Sequence, residues 1–430
     1  MTLFPKEIAD GQCVIAPAMF YPLLVNRPHY NDSVATLGFE QARACVIDNV
    51  RAARPEPPVE TVPLSDALGR VLAEDIAADR DYPPVNKSVR DGFAVRAADL
   101  PGTLRILGEV RAGQQYAGSI GPGEAVEIMT GAPLPSGADA VVMVEYTTRD
   151  NGHVSTGRTA APGENYNPAG IEARGGDLLI ARGTRLGFAE IAMAATTGHP
   201  TLRVHTRPRV AILTTGDEVT SIEQTPEPWQ VRNSNLFSIA AQVTRAGGIP
   251  VPLPVARDAY QPTVALLERA LEADLLLLSG GVSAGRYDVV ENALAGLGAE
   301  FFFDRVRIQP GQPLVFGRVR GKFFFGLPGN PASTMVTFEV FARAVLDLLS
   351  GMRETAFPLL LAPLAAPFHQ KPGLTRFLPA SVSADGAAIH PLAWHGSGDI
   401  PSLVRANCFL VTEPDREQWN EGDLIRVLLK

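Results

Sequence analysis

The sequence is poor in the residues that build metal clusters and disulfide frameworks. Its 430 residues contain three cysteines, which stand far apart at positions 13, 45 and 408. No C-x-x-C pair and no H-E-x-x-H spacing occurs, so nothing indicates a zinc ribbon, a zinc hydrolase centre or a set of disulfides. Isolated thiols are typical of a reducing compartment, and we therefore expect a cytoplasmic protein.

Long apolar runs and an excess of positive charge are also missing. The run "VIAPAMFYPLLV" at residues 14–25 is shorter than the roughly 20 residues that span a bilayer, and two prolines interrupt it. The net charge of −8 lacks the basic signature of proteins that bind nucleic acids or anionic membranes. We therefore expect no nucleic-acid partner and no membrane partner, and we treat residues 1–38 as an extension of unknown role.

What the sequence contains is a series of changes in its pattern. "GFEQARACVIDNV" and "PLSDALGRVLAEDI" predict two helices, the second with Ser65 as its N-cap. "RDGFAV", "LRILGEV", "GEAVEIM" and "ADAVVMVE" predict short strands, and "LGFAEIAMAATTG" predicts a helix. Farther on, the buried-strand runs "RVAIL", "DLLLL" and "KFFFG" alternate with helical patterns, which is typical of a parallel sheet.

These patterns predict a multidomain α/β protein with a central doubly wound α/β domain. A helical and extended linker domain, a small β-rich domain and a small barrel-like β domain at the C-terminus would surround it. The predicted limits are 39–78 with 157–199 for the discontinuous linker domain, 79–156 for the β-rich domain, 200–351 for the α/β domain and 352–430 for the C-terminal domain.

Three unusual turns follow the three buried strands of the α/β region: "TTGD", "SGGVSAG" and "GLPGNPAS". Ligands of such sheets bind beyond the carboxyl ends of the strands. In the third turn, Asn330 is a good N-cap and Pro331 suits the first helical position, so we expect the amides from Ala332 onward to lie unpaired and attract an anion. In the second turn, Gly280 and Gly281 would let the backbone approach a ligand.

Acidic residues stand beside these donors, namely Asp217, Glu218 and Asp288. Since Mg²⁺ takes oxygen ligands from carboxylates and from substrate phosphates, the pattern predicts a site for a phosphorylated ligand with Mg²⁺. Neither a Walker A motif nor G-x-G-x-x-G is present. Each turn taken alone is also an ordinary connector, and each acid taken alone is also a typical cap or surface residue.

Several motifs together resemble the molybdopterin molybdenumtransferase family, to which bacterial MoeA and the gephyrin E domain belong. They are "NKSVRDGFAVRAAD", "GEAVEIMTGAPLPSGADAVVMVE", "ILTTGDEV", "GGVSAGRYD", "PGQPLVFG", "GLPGNPAS" and "GSGDIPSLVRAN". They occur in the family's order and cover the chain from about residue 38 to its C-terminus. The resemblance therefore implies that the central domain is a molybdopterin-binding domain.

The resemblance implies an enzyme that takes adenylylated molybdopterin and molybdate, releases AMP with Mg²⁺ and leaves molybdenum on the dithiolene. It also implies a homodimer whose site lies between the α/β domain of one subunit and the β-rich domain of the other. The molybdopterin adenylyltransferase and recipient molybdoenzymes are the partners that it suggests.

Site residues also follow from the resemblance. Asp217 and Asp288 would bind Mg²⁺, and Asp91 and Thr130 would act across the subunit interface. Asp91 with Gly92 also suits a plain hairpin turn. The residues expected to hold the pterin phosphate or the molybdate are Gly280, Gly281, Ser283, Arg305, Pro328, Gly329, Asn330, Pro331 and Ser333.

This sequence departs from the family's pattern at a few positions. Ile171 replaces an acid, with Glu172 following it, and Gln309 and Gln312 stand where lysines are common. Arg286 replaces an acid, and Arg305 and Arg307 are further cations that would offset the missing lysines. Two alternatives therefore stay open. One is a non-catalytic protein that binds or carries the cofactor, and the other is an insertase selective for tungstate.

Overall fold

The computed structural model describes residues 36–53, 56–281, 289–355 and 357–430, beginning just before a predicted helix. This helix, α1, spans Phe39–Ala52. Its buried side chains include Phe39, Ala42, Val46 and Val50. They recur three and four residues apart, and they form the apolar stripe that the sequence predicts.

The prediction of a second helix, with Ser65 as its N-cap, is wrong. The chain forms a 3₁₀ turn at Leu64–Asp66 between the strands β1 (Val59–Pro63) and β2 (Ile76–Ala77). The apolar residues after this turn are buried in an extended backbone, because Val71 forms a β-bridge with Arg185 and Leu72 forms one with Val204. Partners distant in sequence therefore decide the backbone conformation here.

The β-rich region that follows contains the four predicted strands. Its strands are β3 (Lys87–Ser88), β4 (Gly92–Val95), β5 (Gly102–Val110), β6 (Glu124–Ile128), β7 (Ala140–Met143), β8 (Thr148–Asp150) and β9 (His153–Thr156). Six of them form one sheet in the order β7-β4-β6-β5-β9-β8. Alternate side chains enter two apolar clusters: Phe93 and Val95 belong to one, and Ala94 belongs to the other.

The chain then returns to its first strands. The next elements are β10 (Tyr166–Asn167), β11 (Leu178–Ile180), α2 (Phe188–Thr196) and β12 (Thr201–His205). β11 pairs with β2 and β12 pairs with β1, both antiparallel, so the two halves of the predicted linker domain do meet. The pairing extends to His205, beyond the predicted limit of residue 199.

The α/β region is built on one mixed sheet. Its elements are β13 (Arg209–Thr214), β14 (Val219–Thr220), β15 (Val231–Arg232), α3 (Ser234–Arg245), β16 (Ile249–Pro252), α4 (Tyr260–Ala270), β17 (Leu275–Ser279), α5 (Val289–Gly296), β18 (Glu300–Arg305), β19 (Ile308–Gln309), β20 (Pro313–Val319), β21 (Lys322–Leu327), α6 (Pro331–Thr337), a π-helical stretch (Phe338–Ala342) and α7 (Arg343–Leu349). The sheet order is β16-β13-β17-β21-β20-β18. The first four strands are parallel, and β20 is antiparallel to both of its neighbours, β21 and β18.

Helices cover both faces of this sheet. Leu277 and Phe325 lie in a core with residues of α3, α6 and α7, whereas Leu278 and Phe324 lie in a second core with residues of α4 and α5. This arrangement places helices on both faces, as in a doubly wound domain. α1 belongs to the first core, with the ring of Phe39 centred 5.7 Å from that of Phe341. It therefore packs on the α/β domain, although the sequence places it in the linker domain.

The last region contains β22 (Leu360–Pro363), β23 (Phe368–His369), β24 (Thr375–Val382), β25 (Ile389–Pro391), α8 (Ile400–Arg405), β26 (Cys408–Thr412), β27 (Gln418–Trp419) and β28 (Leu424–Leu429). The main sheet has the order β19-β24-β26-β28-β22. Its first strand, β19, therefore comes from the α/β region of the chain. The helix α8 is absent from the sequence prediction, and closure into a barrel stays a prediction. No helix in the described part of the chain has the length and apolar character needed to cross a bilayer.

Candidate functional site

The three predicted turns begin together at one edge of the central sheet, and the second is described as far as Gly281. β13, β17 and β21 are parallel neighbours, with Thr214 opposite Ser279 and Ser279 opposite Leu327, so their carboxyl ends are level. A cavity of about 700 Å³ opens beyond these ends. Its lining comes from the three turns, the start of α3 and nearby loops: Thr214, Thr215, Gly216, Glu218, Val219, Val231, Arg232, Asn233, Ser234, Asn235, Asp258, Ser279, Gly280, Gly281, Pro313, Pro328, Gly329, Asn330 and Pro331.

The first two turns touch each other closely. Gly280 and Gly281 have φ angles of +87° and +63°. A Cβ atom on Gly281 would lie 2.7 Å from Thr215 Oγ1, and one on Gly280 would lie 2.7 Å from the carbonyl oxygen of Thr215. Both the backbone conformation and the close approach therefore require glycine at these positions.

Asn235 connects the second and third turns. Its Nδ2 donates to Ser279 Oγ at 2.9 Å and to the carbonyl oxygen of Gly329 at 2.7 Å. Its Oδ1 and the hydroxyl of Thr215 are buried and have no hydrogen-bond partner in the described part of the chain. Buried polar atoms normally have partners, so these two atoms are available to a ligand in the cavity.

Among the described residues, two carboxylates line the cavity, and neither is the predicted Asp217. Glu218 and Asp258 face it. Burial raises the pKa of the Asp258 carboxyl, and the nearby charges of Asp217 and Glu218 raise it further. Asp258 follows a loop without any motif, so sequence reasoning missed it.

Of the two predicted metal ligands, only Asp217 belongs to the described residues. The side chain of Asp217 is 68% exposed and does not line the cavity; its Oδ1 lies 3.9 Å from Arg257 Nη1. Asp288 and Ser283, together with Arg286, lie outside the described residues. Across residues 36–53, 56–281, 289–355 and 357–430, no group of three or more His, Cys, Asp or Glu side chains is arranged to hold a metal ion.

The third turn is held by the C-terminal region. Pro328, Gly329, Asn330 and Pro331 line the cavity. Asn330 does not cap α6 through its side chain, because its Nδ2 donates to Ser397 Oγ at 2.8 Å. The backbone N–H of Ala332 donates to the carbonyl oxygen of Ser397 at 2.9 Å. The expectation of an unpaired amide at Ala332 is therefore wrong, because a distant loop supplies its acceptor.

Ser333 follows this turn but does not face the ligand space. Its side chain is buried and does not line the cavity. Its carbonyl oxygen accepts a hydrogen bond from Thr337 Oγ1 at 2.8 Å within the helix. The structure therefore gives Ser333 a place in the helix packing, away from the other residues of the turn.

Asp399 fixes the loop that carries Ser397. Its carboxylate accepts hydrogen bonds from the backbone N–H of His395 at 3.0 Å and from the N–H and hydroxyl of Ser402 at 3.0 and 2.6 Å. These hydrogen bonds, led by those from Ser402, lower the pKa of the Asp399 carboxyl. Sequence reasoning noted the motif around Ser397 but did not assign it to the turn.

Asp91 and Thr130 meet in the β-rich region. Thr130 donates its backbone N–H and its hydroxyl to Asp91 Oδ1, at 2.7 and 2.9 Å. These bonds lower the pKa of the Asp91 carboxyl. Neither residue lines the cavity of its own chain. Ile171 and Glu172 are both exposed.

The cationic residues around "QPGQP" are arranged differently from the expectation. Arg305 and Arg307 are exposed, and neither lines the cavity. Gln309 Oε1 accepts a hydrogen bond from Nε of the buried Arg376 at 2.7 Å, which connects β19 with β24. Burial lowers the pKa of Arg376, and in the described part of the chain it forms no ion pair. Sequence reasoning missed this uncompensated cation.

Comparisons with known proteins identify the family. Residues 37–198 match the MoeA N-terminal region (domains I and II), residues 211–348 match a probable molybdopterin-binding domain, and residues 361–430 match the MoeA C-terminal region (domain IV). The chain belongs to the molybdopterin molybdenumtransferase family. The resemblance of its motifs is thereby confirmed.

Individual relatives span most of the chain. The molybdopterin molybdenumtransferase of Bacillus subtilis is 34% identical over 385 residues, which cover 86% of this chain and 89% of the relative. That of Nostoc is 38% identical over 304 residues, 68% of this chain and 70% of the relative. A solved MoeA structure from Pyrococcus horikoshii OT3 is 26% identical, has a TM-score of 0.76 and covers 92% of this chain and 100% of its own. The mixed α/β architecture is thus the family's.

Proposed function

We propose that this protein is a molybdopterin molybdenumtransferase, which inserts molybdate into adenylylated molybdopterin and releases AMP. The observation that supports this most directly is the cavity at the sheet edge. It combines Thr215 Oγ1 and Asn235 Oδ1, two polar atoms without a partner among the described residues, with the carboxylates of Glu218 and Asp258. Family membership supplies the substrate class, and the cavity supplies donors and acceptors suited to a phosphorylated ligand.

The donors at the cavity fit Mg²⁺. Carboxylate, hydroxyl and amide oxygens are hard ligands that suit this ion, whereas Zn²⁺ sites use histidine and cysteine. We propose that Glu218, Asp258 and the Asp288 of the sequence prediction bind Mg²⁺. Asp217 would contribute less to binding, because its side chain is exposed beside Arg257. A bound Mg²⁺ supplies charge neutralisation and orientation at the phosphoanhydride.

The protein's own groups then have separate tasks. Gly280, Gly281 and Gly329 line the cavity without side chains, so the pyrophosphate would lie close to their backbone. Asn235 holds the second and third turns at a fixed separation through its two hydrogen bonds. Orientation of the phosphoanhydride by such a rigid frame lowers the entropic part of the barrier to its hydrolysis.

We propose that the active form is a homodimer that completes this site. Asp91 and Thr130 do not line the cavity of their own chain, so a partner subunit would have to supply them. The short helix α2 offers a surface for association: Phe188 is 88% exposed, and Ala189, Ala192 and Met193 are also exposed. A contiguous apolar surface of this kind is typical of a subunit interface.

We propose Arg376 as a cation for the molybdate. It is buried without an acidic partner in the described residues, and its guanidinium suits a tetrahedral oxyanion. Gln309 accepts a hydrogen bond from it and adds no second charge. We also propose that the protein is cytoplasmic. It would receive adenylylated molybdopterin from the molybdopterin adenylyltransferase and pass the finished cofactor to molybdoenzymes.

AMP release tests the proposed reaction. Purified protein is incubated with adenylylated molybdopterin, Mg²⁺ and molybdate, and AMP is measured by chromatography. We expect AMP from the unchanged chain, a loss of at least about tenfold in Asp258→Asn, and full activity in the control Asp415→Asn, which changes an exposed acid. Intact ligand retained by a folded protein would instead support a cofactor carrier, and the same assay with tungstate tests selectivity.

Mixed dimers test the shared site. Neither Asp91→Ala nor Asp258→Ala alone should release AMP at the normal rate. If each site takes Asp91 from one subunit and Asp258 from the other, heterodimers of the two variants regain one intact site. A mixture that recovers no activity although heterodimers form would rule out this arrangement.

A further inference from the structure

A second, much smaller cavity lies where the linker strands meet the α/β region. Its volume is about 10 Å³, and its lining is Gly69, Arg70, Val71, Arg185, His205, Thr206, Arg207, Gly247 and Ser350. That volume is room for about one water-sized particle. None of these residues lines the larger cavity at the sheet edge.

Arg70 lines this cavity and has a hydrogen-bond donor without an acceptor among the described residues. Its side chain is 8% exposed. One nitrogen, Nη2, pairs with Glu60 and donates to the carbonyl oxygen of His205 at 2.8 Å. The Nε atom, by contrast, is buried and has no partner in the described part of the chain. A buried charged donor without an acceptor is costly, so a bound particle that accepts its hydrogen bond would be favoured.

Arg185 closes another side of the cavity. Its Nη2 donates to Asp347 Oδ1 at 2.9 Å and its Nη1 donates to the carbonyl oxygen of Gly69 at 3.1 Å. The guanidinium passes close to Gly247, where a Cβ atom would lie 2.7 Å from Nη1. Residues from distant parts of the chain thus hold its position.

The charges around the cavity do not cancel. Glu60 pairs with Arg70, and Asp347 pairs with Arg185. Arg207 also lines the cavity and forms no ion pair within the described residues. Three guanidinium groups thus face two carboxylates, so one positive charge is left over. This surplus favours an anion over a water molecule as the acceptor for Arg70 Nε.

We propose that this cavity binds one small monovalent anion, such as chloride, which accepts a hydrogen bond from Arg70 Nε and stabilises the contact between the linker strands and the α/β region. Polyatomic oxyanions such as phosphate exceed the space of about 10 Å³. Because Arg207 is exposed at the rim, the cavity wall can adjust to an ion slightly larger than water.

Thermal unfolding of the full chain without substrates tests the site. Chloride is titrated against gluconate at constant ionic strength, since gluconate is too large to enter. We expect a saturable rise in Tm, about 3–5 °C when chloride reaches 100 times its dissociation constant. Arg70→Lys, which keeps the charge and removes Nε, and Arg207→Gln should abolish the saturable part. The control Arg269→Gln removes an exposed charge from α4 and should retain it.

A crystal soaked in sodium bromide gives a second, direct measurement on the unchanged chain. An anomalous peak within hydrogen-bonding distance of Arg70 Nε is expected. Two results, each combined with the absence of a bromide peak, would mean that the cavity holds only water. One is an equal Tm in the two salts, and the other is a saturable rise in Tm that persists in Arg207→Gln. Either result leaves the AMP-release assay unaffected, so the two proposals can fail independently.

Discussion

Thr130 donates two hydrogen bonds to the same carboxylate oxygen of Asp91, one from its backbone N–H and one from its hydroxyl. The backbone bond is the larger cause of the lowered pKa of Asp91, and the hydroxyl bond is the next. The carboxylate is therefore held ionised and in one orientation, which suits the proposed role of Asp91 in the site of a partner subunit.

Thr130→Val removes the hydroxyl bond and keeps the backbone bond. The pKa of Asp91 should rise toward its usual value but remain below it, which a carboxyl ¹³C NMR titration measures. A depressed carboxyl pKa contributes stability that is present above the unfolded pKa of about 3.9 and is lost as the pH falls through the folded pKa. The variant should therefore lose stability at neutral pH and match the parent protein in strong acid. Thr147→Val, whose hydroxyl donates to the Val144 carbonyl, should leave the titration of Asp91 unchanged.

Mg²⁺ affinity should depend on pH through Asp258. Burial and the neighbouring acids raise the pKa of this carboxyl, so the folded chain holds its proton more tightly than the unfolded chain does. The stability that the raised pKa contributes is present at low pH and is lost as the pH rises through the folded pKa. Because a metal ligand must be ionised, calorimetric Mg²⁺ affinity should fall as the pH is lowered through the raised pKa of Asp258.

Glu218→Gln tests whether a neighbouring charge contributes to the raised pKa of Asp258. Removing the Glu218 charge should lower the pKa of Asp258 and shift the pH dependence of Mg²⁺ binding to lower pH, even though the affinity at neutral pH is weaker. Asp217→Asn should give a smaller loss of affinity, since its side chain is exposed. An affinity that does not change as the pH is lowered through this pKa would contradict the assignment of Asp258.

Gln309→Lys should separate β19 from β24. Lysine cannot accept the hydrogen bond from Arg376 Nε, and it places a second cation beside a buried arginine. We expect a loss of about 1–3 kcal/mol in the free energy of unfolding, measured with urea. Gln312→Lys makes the same substitution three residues later at an exposed side chain and should change stability by less than about 0.5 kcal/mol. Equal effects of the two substitutions would exclude a specific role for Gln309.

Gly281→Ala should be more harmful than Gly298→Ala. Both glycines have positive φ angles, +63° and +81°, so alanine at either position costs about 1–2 kcal/mol in the backbone. A Cβ on Gly281 would also approach Thr215 Oγ1 to 2.7 Å and Val290 Cγ2 to 2.9 Å, whereas one on Gly298 meets open space. Crowding should add about 1–3 kcal/mol at Gly281, again measured with urea. Its effect on ligand binding should exceed that of Gly298→Ala, because only Gly281 lines the cavity.

Much of the central sheet could be predicted from the sequence because its strands are buried on both sides. Runs such as Leu275–Ser279 and Lys322–Leu327 lie between two cores, and this environment produces an almost continuous apolar pattern. The order of such strands along the chain then brings their carboxyl-end turns to one edge, which is why the location of the cavity could be inferred.

The remaining features depend on contacts between residues far apart in sequence. Asn235 and Asp258 carry no motif, and each reaches the cavity only because the chain returns to the same edge after β15 and after β16. Leu68, Val71 and Leu72 have helical spacing, yet the bridges of Val71 to Arg185 and of Leu72 to Val204 give an extended chain. The amide of Ala332 is likewise paired by Ser397, 65 residues later.

The hydrogen bond between Ala332 and Ser397 connects the turn at the cavity with the C-terminal region. An anion that approached the start of α6 would compete with the Ser397 carbonyl for this amide, and the same loop holds Asn330 through the Ser397 hydroxyl. Displacement of that loop would pull on α8 through the hydrogen bonds that Asp399 accepts from Ser402. Binding of a ligand at this turn would thereby be coupled to the position of α8.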